Sequence, residues 1–420
     1  MKYAFVTSVL IFLSVFTVQG QATKKVLFIG NSYTGVNNLP LLVQNIAIDM
    51  GDVLVCDSNT PGGYRLMNHA THTTTLNKIN AQAWDYVVLQ AQSQETSWSN
   101  AQMQTELYPY AATLSNAIRA NNECTQPMFY MTWGRENGDS SNCGNAPWVC
   151  TYEGMDDAIK NTYNFMAAAN EAEVAPVGAV WRYIRTHYPT IDLYAGDGSH
   201  PSLEGSYAAA CVFYTMIYKK DPLGINWNSS LSTLDADRIK MATKNIVFDQ
   251  MPTWDFTVNP AKADYSEVVN GNQITFTNTS DDFDSLLWDF GDGNTSTDLH
   301  PIHSYGAVGD YNVSLTVYKC GKWDTMTKTI SIAHLENKDA LLEQIEIYPN
   351  PVMDKLIISL NSTYHHILLE LYDLNGKLML TTNHTQGKDL KTDMSHLSSG
   401  IYLMKLSTEK HIFISKILKK

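Results

Sequence analysis

Val26-Leu27-Phe28-Ile29-Gly30-Asn31-Ser32-Tyr33-Thr34 opens on four consecutive apolar residues and breaks at a glycine followed by small polar side chains. A short apolar run that ends in turn residues reads as a strand buried on both faces. Three more runs have the same form: Val53–Val55, Tyr86–Leu89 and Met128–Met131. Between and after them lie helical patterns at Leu39–Met50, Ala101–Ala120, Met155–Glu173 and Ser202–Lys219. Strand-helix alternation predicts an α/β fold, a parallel sheet covered by helices on both faces. Such sheets bind ligands beyond the carboxyl ends of their strands, which is where Ser32 falls.

A serine between a strand and a helix meets free backbone N–H groups and the positive end of the helix dipole. Those are conditions for a nucleophile whose intermediate carries an oxyanion, although a plain capping serine has the same local sequence. Gly196-Asp197-Gly198-Ser199-His200-Pro201 supplies the complement. Pro201 suits a first helical turn and biases His200 to extended backbone. Gly198 permits a tight turn that brings the Asp197 carboxylate to Nδ1 of His200, leaving Nε2 for the serine proton.

With these two motifs in place, residues 23–251 resemble the SGNH (GDSL-like) hydrolases, in the branch whose first block reads G-N-S-[YF]-T. The resemblance implies a five-stranded parallel sheet between helices and hydrolysis of acyl esters, often on carbohydrates. It assigns Ser32 as nucleophile and Asp197 and His200 as its partners, with Asn31 where other branches carry aspartate. The second block is matched by Pro61-Gly62-Gly63-Tyr64-Arg65, where the Gly63 N–H would face the oxyanion beside that of Ser32. The third block, normally G-x-N-D, is replaced by Gln90-Ala91-Gln92-Ser93-Gln94-Glu95. Gln92 falls at the asparagine position and its amide can donate in the same way, with Gln90 and Gln94 as alternatives.

Thr132-Trp133-Gly134-Arg135-Glu136-Asn137 follows the fourth strand and should face the same crevice. Trp133, Arg135 and Glu136 are therefore candidate substrate-binding residues; an Arg–Glu pair holding a loop is the plainer account. His69 and His72 have no metal-ligand partners at useful spacing and read as surface or supporting histidines. Neither metal nor organic cofactor is implied.

Beyond Thr253 the helical period gives way to alternating strands. Within 253–333, Trp288-Asp289-Phe290-Gly291-Asp292-Gly293, His303-Ser304-Tyr305 and Gly309-Asp310-Tyr311-Asn312-Val313 resemble a PKD domain, an immunoglobulin-like sandwich. A charged linker at 334–344 leads into 345–420. There Tyr348-Pro349-Asn350-Pro351, Leu371-Tyr372-Asp373-Leu374-Asn375-Gly376-Lys377 and Leu397-Ser398-Ser399-Gly400-Ile401-Tyr402 resemble the C-terminal sorting domain of the type IX secretion system of Bacteroidetes. That resemblance implies passage across the outer membrane with the secretion machinery as partner, usually with removal of the domain.

The remaining features bound the function. Residues 1–20 combine Lys2, an apolar stretch Val6–Val18 and a small residue at Gly20, a secretory signal too short to span a bilayer. The 420 residues are 44% hydrophobic and carry a formal net charge of −13, which argues against nucleic acid or an anionic membrane as partner. Six cysteines without a C-x-x-C pair argue against a zinc ribbon or thioredoxin-like site. An exported chain permits a Cys143–Cys150 bond, and Cys56 and Cys211 read as buried thiols. The expectation is a secreted or surface serine esterase acting on a small ester or acylated carbohydrate. A hydrolase scaffold kept only for glycan adhesion and an acyltransferase using the same serine are the rivals.

Overall fold

The computed structural model describes residues 21–333, 345–408 and 412–420. The expected signal segment at 1–20 and the expected linker at 334–344 lie outside the described residues. Contacts divide the chain into a unit reaching to Lys262, together with Asp281–Ser285 and Val317–Asp324, and a second unit formed by the rest.

The first unit is built on five parallel strands: β1 (Thr23–Ile29), β2 (Val53–Asn59), β3 (Tyr86–Leu89), β4 (Gln126–Tyr130) and β5 (Glu173–Ala175), in the order β2-β1-β3-β4-β5. The predicted apolar runs occupy its centre. Val26 to Ile29, Val87 to Leu89 and Met128 to Tyr130 are wholly shielded from solvent, as strands covered on both faces require. Eight helices matter here: α1 (Ser32–Gly35), α2 (Leu39–Asp49), α3 (Asn100–Glu106), α4 (Tyr108–Asn121), α5 (Tyr152–Ala169), α6 (Val177–His187), α7 (Leu203–Tyr218) and α8 (Thr233–Ile246). Every residue of α7 from Gly205 to Tyr218 is buried, so this helix fills the core between α2 and α8.

Several boundaries differ from the sequence reading for local reasons. The helix expected over Ala101–Ala120 is two helices, because Leu107 leaves helical geometry and Pro109 suits a new first turn. The helix expected to reach Glu173 stops at Ala169, where Glu171 turns through φ +49° and the chain enters β5. Pro201 lies outside the helix that follows it; Ser202 is the cap, its hydroxyl accepting from the Gly205 N–H at 3.0 Å. Disulfides join Cys143 to Cys150 and Cys124 to Cys320. Cys211 is buried, whereas Cys56 is only half-buried.

The all-β segments carry two open sheets, then a third. Strands β6 (Tyr265–Asn270), β7 (Gln273–Asn278) and β10 (Ile302–Ser304) form one in the order β10-β7-β6. Strands β8 (Ser285–Asp289), β9 (Thr295–Ser296), β11 (Gly309–Lys319) and β12 (Lys322–Ile332) form another, ordered β12-β11-β8-β9. Trp288 is fully buried with Tyr265 and Phe276 at ring separations of 5.0 and 5.2 Å. Asp289 and Asp292 brace the Gly-rich turn by accepting from the Gly291 and Asn294 N–H groups.

The last sheet contains β13 (Ile345–Tyr348), β14 (Lys355–Tyr372), β15 (Leu378–Asp393), β16 (Gly400–Ser407) and β17 (Ile412–Lys419). Its order is β13-β14-β16-β17, with β15 also paired to β14. The separate strands expected at Lys355–Leu360 and Ile367–Leu371 are one continuous strand whose register with β15 shifts between Ser359 and Tyr364. Among the described residues no helix is long and apolar enough to cross a membrane.

Candidate active site

At the carboxyl end of β1 the chain turns sharply into α1. A Cβ on Gly30 would lie 2.6 Å from both Gln90 Oε1 and Thr34 Oγ1, so no larger residue fits without displacing them. Asn31 caps α1: its Oδ1 accepts from the Tyr33 N–H at 3.0 Å while its Nδ2 donates to the Tyr64 carbonyl at 2.9 Å. The same side chain therefore ties the serine turn to the loop that carries Gly63. An aspartate would keep the cap but lose that donor.

Ser32 Oγ lies 2.8 Å from His200 Nε2, across 168 positions of sequence. His200 Nδ1 lies 2.6 Å from Asp197 Oδ2. An ionised carboxylate only accepts, so the proton sits on Nδ1 and the Nε2 lone pair faces the serine hydroxyl. Asp197 Oδ1 also accepts from the backbone N–H groups of Ser199 and His200, at 3.0 and 2.9 Å. Burial alone would raise the Asp197 carboxyl; the bonds from the His200 ring and from the two N–H groups outweigh it and hold it at about 2. Gly198, at φ +64°, closes the turn that makes this possible.

Ser32 and Gly63 offer unoccupied backbone donors: among the described residues neither N–H has a hydrogen-bond partner. Gly63 sits at φ +71°, a conformation that its neighbour Gly62 does not adopt. Gln92 folds its Oε1 back onto the Gln94 and Glu95 N–H groups at 2.8 and 3.2 Å. Its Nε2 makes only long contacts of 3.4 Å to Ser93 and Gln94, so the amide end keeps donor capacity. The two alternatives are committed elsewhere. Gln90 is fully buried and accepts from the Asn31 N–H at 2.9 Å and the Thr34 hydroxyl at 3.0 Å; Gln94 donates to Asp139 at 2.6 Å.

Trp133 is not available to substrate, contrary to the sequence expectation. It is wholly buried, stacked on Tyr33 at 5.0 Å and on Trp181 at 3.6 Å, and its Nε1 donates to the Ser199 carbonyl at 3.1 Å. The expected Arg–Glu pair is also replaced: Arg135 pairs with Asp139 at 3.3 Å. Glu136 is exposed, and its backbone N–H donates to the Gly198 carbonyl at 2.9 Å, so its main chain braces the histidine loop.

Of the two readings of His69, surface or supporting, the structure fits the second. The residue is fully buried, with Nε2 2.9 Å from the Gly30 carbonyl and Nδ1 2.9 Å from Thr75 Oγ1. Burial lowers its pKa to about 4, with the Gly30 bond opposing and His72 adding to the shift. His72 is partly exposed and faces Asn59 and Thr75.

Sequence reasoning missed three supports. Gln90 holds the serine turn from below. Arg65 donates to the buried Glu95 at 2.8 Å and Glu95 accepts from the Gln92 N–H at 2.8 Å, joining the Gly63 loop to the Gln92 loop. Tyr33 meets Ser199 through their hydroxyls at 2.5 Å. Each residue stood inside a quoted motif, but none of these pairings leaves a periodic trace in sequence.

A family model for the PKD domain matches residues 251–333, and one for the secretion system C-terminal sorting domain matches residues 346–420. A microbial collagenase from Vibrio alginolyticus is 44% identical over 77 residues, 17% of this chain; the chain spans about a tenth of that relative's length. Among solved structures, a DUF4886 family protein from Bacteroides uniformis is 18% identical with a TM-score of 0.46, covering 53% of this chain and 94% of that one. A protein described as a candidate SGNH hydrolase from Slackia heliotrinireducens is 27% identical with a TM-score of 0.39, covering 46% and 97%. Behind its parallel-sheet domain, this chain carries a PKD domain and a secretion-system C-terminal sorting domain.

Proposed function

We propose that the parallel-sheet domain is a serine ester hydrolase acting on small acyl esters, acetyl esters above all, after export. The observation that carries this reading is the chain of contacts from Ser32 Oγ through the His200 ring to Asp197 at the carboxyl edge of the sheet. In this reading Ser32 Oγ attacks the acyl carbonyl as His200 Nε2 takes its proton. The new oxyanion accepts from the Ser32 and Gly63 N–H groups and from the Gln92 amide. His200 then protonates the leaving alcohol, and a water molecule releases the acyl group by the reverse sequence. Asp197 keeps Nδ1 protonated and the ring oriented throughout. The small acyl group follows from the resemblance described above.

The test is turnover of 4-nitrophenyl acetate and 4-nitrophenyl octanoate by the wild-type chain and by Ser32→Ala. The expected result is loss of at least about 10³-fold in kcat for Ser32→Ala with an unchanged melting temperature, and preference for the acetate. Equal turnover by the two proteins would overturn the hydrolase reading, and equal rates on the two esters would overturn the acetyl preference.

A further inference from the structure

Between the loop after β3 and the loop closed by the Cys143–Cys150 bond lies a cavity of about 300 Å³. Trp98 and Trp148 line it, together with the amide side chains of Gln94, Gln102, Asn142 and Asn145. Both rings are held. The Arg65 guanidinium lies 4.5 Å from the Trp98 ring centre, itself fixed by Glu95 and Glu106 at 2.8 and 3.1 Å. The Trp148 Nε1 donates to the Ser97 carbonyl at 2.8 Å, yet the side chain remains 42% exposed.

The polar groups divide into used and unused. The Asp139 carboxylate at the cavity wall is occupied by Gln94, Asn142 and Arg135. The Gln102 and Asn145 side-chain amides and the Trp98 Nε1 have no partner among the described residues. Two fixed indoles beside unpaired amides suit a ligand with an apolar C–H face and hydroxyls around its edge. No Lys or Arg lines the cavity, which disfavours an anion, and its few aliphatic residues make poor lining for a long acyl chain. The cavity adjoins the proposed reaction site through its own backbone: Gln92 and Gln94 belong to one turn, in which the Gln92 Oε1 accepts from the Gln94 N–H.

We propose that this cavity is a subsite for a neutral sugar ring, holding the alcohol side of an acylated saccharide while Ser32 acts on its ester. Its purpose rests on the hydrolase reading; its ligand chemistry does not. The sugar's C–H face would lie against an indole and its hydroxyls would bond Gln102 and Asn145.

The experiment uses the full chain carrying Ser32→Ala, titrated with xylohexaose, mannohexaose, cellohexaose and chitohexaose. At least one should bind, and adding Trp148→Ala should weaken it about tenfold or more, with Trp148→Phe recovering part of the loss. If Trp148→Ala does not fold, the paired change Gln102→Ala and Asn145→Ala should weaken binding about tenfold instead. With Ser32 intact, Trp148→Ala should raise KM for the acetylated form of the bound oligosaccharide and leave its kcat within about twofold. Failure of all four to bind, or affinity indifferent to these changes, overturns the subsite. Adenosine binding in their place overturns the sugar assignment. Failure of the hydrolase reading is seen separately, as equal 4-nitrophenyl acetate turnover with and without Ser32.

Discussion

The two halves of the proposed triad are held in opposite ways. The Ser32 turn is embedded: Gly30 touches Gln90, the Gly30 carbonyl faces His69, and Asn31 reaches both Gln90 and the Gly63 loop. The supports Gln90 and His69 are fully buried. The Asp197–His200 turn is half open to solvent, with side chains 51% and 35% exposed. It is fixed through the Tyr33–Ser199 contact, the Trp133 indole and the Glu136 backbone. A buried polar group left without a partner costs far more than an exposed one, so the same hydrogen bond has different consequences on the two sides. Changes under the serine should be felt as lost stability, and changes under the histidine as lost rate.

The largest effect is expected at Gln90. Gln90→Ala would strand the Asn31 N–H and the Thr34 hydroxyl and leave a void in the core. Each unsatisfied group costs about 1–3 kcal/mol, so about 3 kcal/mol in total is a conservative expectation, or a fall of about 6–12 °C in melting temperature. Calorimetry of the full chain measures this on the transition of the parallel-sheet domain. Ser199→Ala, on the histidine side, should move that transition by no more than about 1 kcal/mol. Similar shifts from both would erase the contrast.

His69 extends the same side of the comparison to pH. Its folded pKa of about 4 lies below its ordinary value, so between the two the unfolded chain binds a proton that the folded chain refuses. Stability should therefore be intact above about pH 6.5 and decline as pH falls toward 4. At pH 4.5 the loss relative to pH 7.5 should be about 2.5 kcal/mol from this residue. His69→Gln retains a donor for the Gly30 carbonyl and removes the titration. Urea unfolding at the two pH values should thus give a smaller acid loss in the variant than in the wild-type chain, and identical losses would place the acid sensitivity elsewhere.

How much of this was legible in sequence follows the same division. The apolar runs of β1, β3 and β4 announced themselves because strands shielded on both faces leave continuous hydrophobic residues. β5 did not: Glu173–Ala175 is three residues long and begins with a glutamate that pairs with Lys219 at 2.6 Å. The Ser32, Asp197 and His200 motifs stood out because turns with glycine and proline punctuate a sequence strongly. What a buried aromatic does beside them was not legible. Trp133 follows the fourth strand just as a substrate-binding residue would, and only its packing between Tyr33 and Trp181 reveals a support. The third block was legible as a place rather than a residue, since three glutamines alternate there and only folding commits Gln90 and Gln94 to other partners.

The smallest expected effect belongs to the hydroxyl of Tyr33, and it is the sharpest test of the histidine side. Tyr33→Phe keeps the ring, and with it the stack on Trp133 and the edge contact to His200 at 5.2 Å. It removes the hydroxyl's bond to Ser199, which lies between Asp197 and His200 in the exposed turn, together with its bond to Ser93. If that bond holds the imidazole in line with Ser32, kcat for 4-nitrophenyl acetate should fall about tenfold, equivalent to about 1.4 kcal/mol, with KM unchanged within about twofold. Ser199→Ala should reproduce the part of the loss that this bond carries, and the double variant should be no worse than Tyr33→Phe, because with the phenol gone Ser199→Ala breaks no further contact to it. Additive losses would mean that the two hydroxyls act separately, and an unchanged kcat in both would mean that Trp133 and the loop backbone suffice to place His200.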